Sequence, residues 1–206
     1  LHGTYRIIPN VVFVSEPAIL QKPAEGIVRI IAIGGLTDSR KNIAGLIDVF
    51  SKIHAQIPDA RLNIIRPVPD QLLYDSAMAT GLLHTKIFFH DYLSNEEVYS
   101  LLTSCSFLVV NSISETFSMA AAEALACGKP VITTRCGGPE EFINNAVGML
   151  IDINAPEQLA AALINMYQQY HQFDPETLKE YASINFSAEV VGKKLLEIYE
   201  ELDPSK

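Results

Sequence analysis

The stretch IVRIIAIGGLTDSRKNIAGLIDVF, residues 27–50, runs from an apolar block through a polar loop into a segment with helical spacing. The block at 27–34 is nearly continuously apolar, as in strands that other layers cover on both faces. From residue 42 to 57 the apolar side chains recur on one helical face. A covered strand that leads directly into an amphipathic helix is the repeating unit of a domain with a parallel sheet.

The same alternation of strand and helix patterns continues along the chain. Ser94 and Glu97 have the spacing of a capping box, which predicts a helix at 95–104. The whole pattern predicts an α/β fold, a doubly wound parallel sheet with helices on both faces. Further strands are predicted at 5–9, 60–66, 86–90, 106–111, 130–134 and 148–152, and further helices at 156–170, 175–183 and 187–202.

The composition limits the classes of function. The chain has 206 residues, of which 49% are hydrophobic, and a formal net charge of −9. This length fits one domain over 1–206, in which residues 1–26 form a connecting segment. The acidic balance argues against a nucleic-acid partner. The three cysteines show no zinc-ligand spacing, so we expect no metal site and a reducing, cytoplasmic setting.

The start of the sequence and the lengths of its apolar runs bear on what kind of protein the chain comes from. The sequence starts at Leu1 and enters the apolar segment at 5–9 directly, which predicts a piece of a longer protein. No apolar run approaches the ~20 residues of a membrane span. We therefore expect membrane contact, if the protein has any, to belong to a part outside this sequence.

In a doubly wound sheet, ligands bind beyond the carboxyl ends of the strands, and four loops follow strands here. The first loop carries Gly34 and Gly35, which allow close approach of the backbone, and then Arg40 and Lys41, which suit a phosphate. A polar turn with a solvated Arg-Lys pair is the alternative. The dinucleotide fingerprint G-x-G-x-x-G is absent from this loop, which disfavours a dehydrogenase.

A second glycine-containing loop, CGGPEEF, follows the strand predicted at 130–134. Gly137 and Gly138 permit a tight turn, and a short helix should start near Pro139 with its free N–H groups directed at an anion. A simple strand-to-helix turn explains the same residues equally well. The remaining two loops, at 66–70 and 111–117, complete the predicted edge.

Two glutamates mark the segment SETFSMAAAEALACGKPV, residues 114–131. Glu115 lies in the loop after a strand, ahead of an Ala-rich helix that Ser114 or Thr116 should cap. The N–H groups of the following residues are then free to bind a phosphate or a hydroxyl. Glu123 falls in the middle of that helix, where a carboxylate is costly without a partner.

The spacing of the two glutamates bears on their chemistry. Eight residues of helix span about 12 Å, whereas the paired carboxylates of glycoside hydrolases lie about 5–9.5 Å apart. We therefore interpret Glu115 and Glu123 as two contacts to one extended ligand, with a phosphate at the helix start between them. A sugar nucleotide has this layout of hydroxyls, diphosphate and ribose.

The segment ETFSMAAAEALACGKPVITTRCGGPEEFI is similar to the E-x7-E segment of glycosyltransferase family 4, the "group 1" retaining enzymes of GT-B fold. The stretches IIPNVV, IAIGGLTDSRKNIAGLIDVF, VGMLIDINAPEQLAAAL and FSAEVVGKKLLEIYEEL also resemble this family. The resemblance covers nearly the whole chain. It implies the C-terminal, Rossmann-like donor-binding half, with 187–202 as its closing helix and without the N-terminal acceptor-binding half.

The resemblance implies a hexosyl transfer from a nucleoside-diphosphate sugar, with no other cofactor, in glycan or polysaccharide synthesis. Glu123 then holds the ribose hydroxyls, Glu115 lies by the donor sugar, and Lys41 contacts the diphosphate. Arg40 stands in for an arginine that the family often has where this chain has Gly35. The remaining residues implied at the donor site are Gly34, the backbone of Phe117, Ser118 and Met119, Gly137, Gly138, Glu141 and His90.

The chain departs from the family pattern at several of these places. Thr116 and Ser118 stand where glycines are common, the loop 66–70 reads RPVPD, and His90 replaces a common glycine. These departures keep two alternatives open, a non-catalytic partner module and another GT-B enzyme such as a sugar-nucleotide epimerase. For the main hypothesis, we expect the isolated chain to bind nucleotide and to transfer little sugar.

Overall fold

A computed structural model describes residues 8–13, 26–34 and 36–202, with the side chains of 36–38 and 202 left out. Residues 5–7 of the first predicted strand and Gly35 therefore lie outside the described part. Ile8 and Pro9 are irregular, so the predicted strand at 5–9 does not extend to them.

Six parallel strands form one sheet in the order β3-β2-β1-β4-β5-β6. Each strand pairs with its neighbours in parallel register, for example Ile30 with Leu62 and with Phe107. The predicted doubly wound sheet is confirmed, because the chain builds outward from β1 on one side and then returns to build β4 to β6 on the other. The strands are β1 Val28–Ile33, β2 Ala60–Arg66, β3 Ile87–Asp91, β4 Phe107–Val110, β5 Val131–Thr134 and β6 Gly148–Ile151.

Seven α-helices surround this sheet within the described ranges. The capping box at Ser94 is present, and the helix behind it matches the predicted bounds. The helix at 71–79 has only a few buried side chains, and its sequence gave no one-sided pattern. The helices are α1 Ile43–Ile53, α2 Gln71–Ala79, α3 Asn95–Ser104, α4 Met119–Ala126, α5 Pro156–Gln169, α6 Pro175–Phe186 and α7 Ala188–Leu202.

Two apolar cores lie on opposite faces of the sheet. The core formed with α1, α2 and α5 centres on side chains such as Phe50, Leu62 and Phe107. The core formed with α3, α4 and α6 centres on side chains such as Leu108, Leu125 and Phe186. Burial on both faces explains why the strands read as continuous apolar blocks rather than as alternating ones.

The reversal of strand order between β1 and β4 sets the position of a binding site. The crossover connections leave β1 and β4 in opposite directions, and their carboxyl ends open a crevice between the two loops. None of the described helices combines the length and apolar character that a membrane span requires.

Gly148 tests how closely the edge strand β6 approaches β5. A Cβ at this position would collide with the carbonyl oxygen of Val131, a backbone atom that cannot rotate away. We expect Gly148→Ala to lower the free energy of unfolding by at least about 1–3 kcal/mol, the usual cost of overpacking. Urea denaturation followed by circular dichroism measures this loss.

Gly192→Ala is the matched control for this substitution. No atom lies within 4 Å of a Cβ built on Gly192, and alanine favours the helical interior over glycine by about 1 kcal/mol. The control should therefore keep or gain stability. Equal stability of Gly148→Ala and the wild type would contradict the close pairing of β5 with β6.

Candidate functional site

A cavity of about 380 Å³ opens at the carboxyl edge of the sheet, beside the reversal of strand order. Its volume falls in the range of small-molecule sites. The cavity brings together side chains from the loops after β1 and β4, the start of α4 and the face of α3. It is lined by Asn10, Ile33, Lys41, Val98, Glu115, Thr116, Phe117, Ser118, Met119, Ala120 and Glu123.

The loops after β1 and β4 are joined by hydrogen bonds. The Ile113 N–H donates to the Arg40 carbonyl at 2.6 Å, and the Asn111 side-chain amide donates to the Asn42 carbonyl at 3.0 Å. Asn42 has a φ of 45°, the left-handed conformation that asparagine tolerates better than most residues. These contacts fix the chain on either side of Lys41.

A second set of contacts joins the loop after β4 to the loop after β5. The Glu115 N–H donates to the Cys136 carbonyl at 2.8 Å, and the Gly138 N–H donates to the Glu115 carbonyl at 2.9 Å. A Cβ on Gly138 would collide with the Thr116 carbonyl oxygen. Glycine at 138 therefore lets the backbone of Glu115 and Thr116 lie directly against the loop after β5.

The carboxylate of Glu115 receives two donors at one oxygen. Lys41 Nζ and Ser112 Oγ each lie 2.6 Å from Glu115 Oε1. The Glu115 side chain is 10% exposed, so this ion pair is screened less than a surface pair. Gly34 makes room for the lysine, because a Cβ there would lie 2.8 Å from the Lys41 Cβ.

The start of α4 differs from the prediction. The helix begins at Met119, and its N-cap is Ser118, not Ser114 or Thr116. Glu115 therefore lies outside the helix. The predicted separation of about 12 Å between the two glutamates assumed eight helical residues, and that assumption is wrong. What the structure supplies instead is a shared location, because Glu115 and Glu123 line the same cavity.

Ser118 leaves the start of α4 open to the cavity. Its φ of 71° is left-handed, and its side chain makes no capping hydrogen bond. The first N–H groups of any α-helix have no carbonyl within the helix to bond. The positive end of α4 therefore faces the cavity that contains Lys41, and together they favour an anion.

Phe117 lines the cavity and also anchors this segment to an aromatic cluster. Its ring packs against Phe142 and Phe186, with centroids at 5.2 Å and 5.5 Å, and those two rings lie 5.0 Å apart. The pairs that Phe186 makes with Phe117 and with Phe142 have the edge-to-face geometry that aromatic rings prefer. The cluster fixes the backbone of 116–118 against the cavity.

Glu123 is half-buried on α4 and finds a partner on α3. The Tyr99 hydroxyl lies 3.4 Å from Glu123 Oε1 and donates to the Phe13 carbonyl at 2.6 Å. Burial raises the pKa of the Glu123 carboxyl above its ordinary value, and the Tyr99 hydroxyl opposes this shift. Burial, together with the charge of Glu123, raises the pKa of Tyr99 to about 12.

Other predicted residues surround this cavity without lining it. Gly138 and Glu141 line an adjacent cavity of about 350 Å³, which shares Asn10, Thr116 and Phe117 with the first. Gly137 has a φ of 105°, and its N–H bonds Glu140 Oε1. Arg40 is exposed and contributes its carbonyl to the loop contact described above, and Gly35 lies outside the described residues.

His90 lies apart from the cavity lining. Its Nε2 is 2.9 Å from the Asn63 side-chain oxygen on the neighbouring strand. Burial lowers the pKa of His90, the charge of Arg29 adds to that effect, and Asp91 opposes it. Contact of His90 with a ligand stays a prediction.

Three residues of the site received no role from the sequence. Ser112 stands within the loop 111–117, but nothing in its spacing indicates that it bonds Glu115. Asn10 belongs to the connecting segment, which has no clear period. Tyr99 reaches Glu123 across two helices, and a single sequence carries no signal for such a contact.

The arrangement can bind two kinds of group at once. Lys41 and the start of α4 suit an anionic group, and the Glu123 carboxylate accepts hydrogen bonds from hydroxyls. Both lie in one cavity. The geometry therefore favours an extended ligand that carries an anionic group and hydroxyls. In this arrangement the two glutamates need not act together on one bond.

Comparison with protein families gives a match over most of the chain. The model described as "Glycosyl transferases group 1" matches residues 21–183. A glycosyltransferase of Methanocaldococcus jannaschii, described as uncharacterized, is 38% identical over 112 residues. That match covers 53% of this chain and 32% of the relative.

Solved structures show the same architecture. The sucrose-phosphate synthase of Thermosynechococcus elongatus has a TM-score of 0.74 at 21% identity, covering 89% of this chain and 50% of the other. The Anabaena protein HepE, solved in complex with UDP, has a TM-score of 0.70 at 20% identity, covering 84% and 48%. These likenesses show the fold, one Rossmann-like half of the GT-B architecture. The chain spans about half the length of these structures.

The raised pKa of Glu123 predicts a pH-dependent stability. The folded protein holds the Glu123 proton more tightly than the unfolded chain does, so the wild type loses stability as pH rises from about 4.5 through the raised pKa. We expect Glu123→Gln to match the wild type near pH 4 and to exceed its stability increasingly toward pH 7. Urea denaturation across this pH range measures the difference.

Glu197→Gln on α7 is the matched control, because Glu197 is exposed to solvent. Its stability relative to the wild type should not vary with pH in the same way. A Glu123→Gln variant that is equally less stable than the wild type at all pH values would contradict the burial penalty at Glu123.

Proposed function

Because the chain belongs to the family of glycosyl transferases, group 1, we propose that it is the donor-binding half of a glycosyltransferase. The donor is a nucleoside-diphosphate sugar. One observation carries the proposal: a single cavity at the reversal of strand order contains Lys41, the open start of α4 and the Glu123 carboxylate.

The diphosphate of the donor lies at the start of α4. The N–H groups of Ser118 and Met119 and the ammonium of Lys41 supply donors for its oxygens, with Arg40 as a further cation from the same loop. Negative charge grows on the leaving diphosphate as the bond to the sugar breaks. Fixed donors at this place stabilise the transition state, which is the main catalytic effect available here.

The two glutamates serve the two ends of the donor. Glu123 accepts hydrogen bonds from the ribose hydroxyls, and the Tyr99 hydroxyl lies 3.4 Å from its carboxylate. Glu115 faces the donor sugar. Since Glu115 already pairs with Lys41 at 2.6 Å, the diphosphate shares the lysine with this carboxylate, and the site does not hold an uncompensated cation before the ligand arrives.

The remaining predicted residues complete the donor site in this proposal. Gly34 and Gly35 belong to the first loop, where Gly34 makes room for Lys41. Gly138 and Glu141, next to Gly137 in the chain, line the adjacent cavity on the sugar side. His90 lies toward the base. Together the two neighbouring cavities, of about 380 and 350 Å³, offer the elongated space that a sugar nucleotide requires.

The activity of the whole protein extends this proposal. The acceptor comes from an N-terminal half that this sequence does not contain, and transfer of a hexose retains the anomeric configuration. The reaction serves glycan or polysaccharide synthesis in the cytoplasm, with any membrane contact made by the other half. The isolated chain then binds nucleotide and transfers little sugar.

Substitution of Lys41 tests the diphosphate position. We expect Lys41→Met to weaken UDP, GDP or ADP binding by about 1.5–3 kcal/mol, the usual value of a hydrogen bond to a charged group. Binding of the corresponding nucleoside, which lacks phosphates, should change little. Isothermal titration calorimetry with each nucleotide and nucleoside measures both effects, after thermal melting confirms that the variant is folded.

Lys52→Met on α1 is the matched control, because Lys52 is exposed and pairs with Asp48 far from the cavity. It should leave nucleotide affinity unchanged. Equal loss of affinity for nucleotide and nucleoside would contradict the proposed contact between Lys41 and the diphosphate. A wild-type chain that binds none of the three nucleotides would refute the proposed function and favour the non-catalytic module.

A further inference from the structure

Ser118 combines two unfavourable features at the start of α4. Its backbone is left-handed, with a φ of 71°, a conformation that costs energy in any residue with a side chain. Its side chain is buried, at 4% exposure for the residue. Among the described residues, Ser118 Oγ is the one buried side-chain oxygen or nitrogen that has no hydrogen-bond partner.

Capping does not explain this serine. A serine that caps a helix has an extended backbone, and its hydroxyl accepts a hydrogen bond from an N–H of the first turn. The left-handed backbone of Ser118 takes the hydroxyl out of that arrangement, and no such bond forms. Glycine would adopt the same backbone conformation without strain and would bury no hydroxyl. The residue therefore destabilises the folded chain twice.

The position of Ser118 suggests what balances these costs. The residue lines the cavity together with Lys41 and Glu115, and the free N–H groups of the first turn of α4 face the same space. A hydroxyl in such surroundings donates well to an anionic oxygen, and a hydrogen bond to a charged acceptor is stronger than one to a neutral acceptor.

We propose that Ser118 is a ligand-binding residue whose Oγ–H donates to a phosphate oxygen of the bound nucleoside diphosphate. This inference rests on the proposed function and adds to it a side-chain donor beside the backbone N–H groups. Rotation about the Cα–Cβ bond brings the hydroxyl to the phosphate. Binding then satisfies the polar atom that has no partner within the chain, so part of the affinity comes from removing that penalty.

Two substitutions separate the hydroxyl from the backbone strain. Ser118→Ala removes the hydroxyl and keeps a strained residue at φ 71°, whereas Ser118→Gly removes both. We expect each to weaken binding of UDP, GDP and ADP by about tenfold, by the same factor for the three bases, because the contact is to phosphate. We also expect Ser118→Gly to melt at a higher temperature than the wild type without ligand. Calorimetric titration and thermal melting provide the two measurements.

Ser114→Ala is the matched control, since Ser114 is exposed in the same loop and does not line the cavity. It should leave nucleotide affinity unchanged. Inorganic pyrophosphate serves as a probe without base or ribose, and its affinity should fall in both Ser118 variants.

The outcomes distinguish this inference from the proposed function. If the wild type binds nucleotide and Ser118→Ala binds it equally well, the role of Ser118 is wrong and the donor site stands. If the loss appears for one base and not for the others, the hydroxyl contacts the nucleoside, and the phosphate contact is wrong. If the wild type binds no nucleotide and no pyrophosphate, both proposals fail.

Discussion

The backbone of Glu115 is the constraint on which the rest of the site depends. Its N–H and its carbonyl are both bonded to the loop after β5, at Cys136 and Gly138, so the chain leaving β4 has one path. Gly138 permits that path because it has no side chain to meet Thr116. Because its backbone is held, the Glu115 carboxylate can accept hydrogen bonds from Lys41 and Ser112. The residues after Glu115 must then turn sharply to begin α4 at Met119.

This constraint also explains how an acidic protein can favour an anion. The formal charge of the chain is −9, so a general positive potential cannot attract phosphate. The attraction is local and comes from oriented backbone N–H groups at the start of α4, with one lysine that is already neutralised by Glu115. Dipoles fixed by the fold need no reorganisation when a ligand arrives, which suits the diphosphate contact that we propose.

The sequence predicted the sheet well because each strand is covered on both faces and reads as an apolar block. It predicted α3 because the capping box at Ser94 has a definite spacing. The sequence predicts the wrong start for α4, because a serine does not indicate the left-handed backbone that Ser118 adopts. The sequence does not predict the helix at 71–79, because Leu72 and Met78 are exposed and weaken its one-sided pattern.

The site residues divide in the same way. Lys41, Glu115 and Glu123 follow from the rule that ligands bind beyond strand ends and from the cost of an isolated buried carboxylate. Ser112 and Tyr99 act through contacts between segments that only the folded chain brings together. His90 stands at a strand end and bonds Asn63 on the neighbouring strand, and its contact with a ligand stays a prediction.

The aromatic cluster of Phe117, Phe142 and Phe186 implies that the site is completed late during translation. Phe186, at the end of α6, packs against Phe117 and accepts a hydrogen bond at its carbonyl from the Val12 N–H. All six strands precede α6 and leave the ribosome before it. The nascent chain can therefore pair its strands before Phe186 is available to pack on Phe117 beside α4. The cavity takes its final shape only when the C-terminal helices have been synthesised.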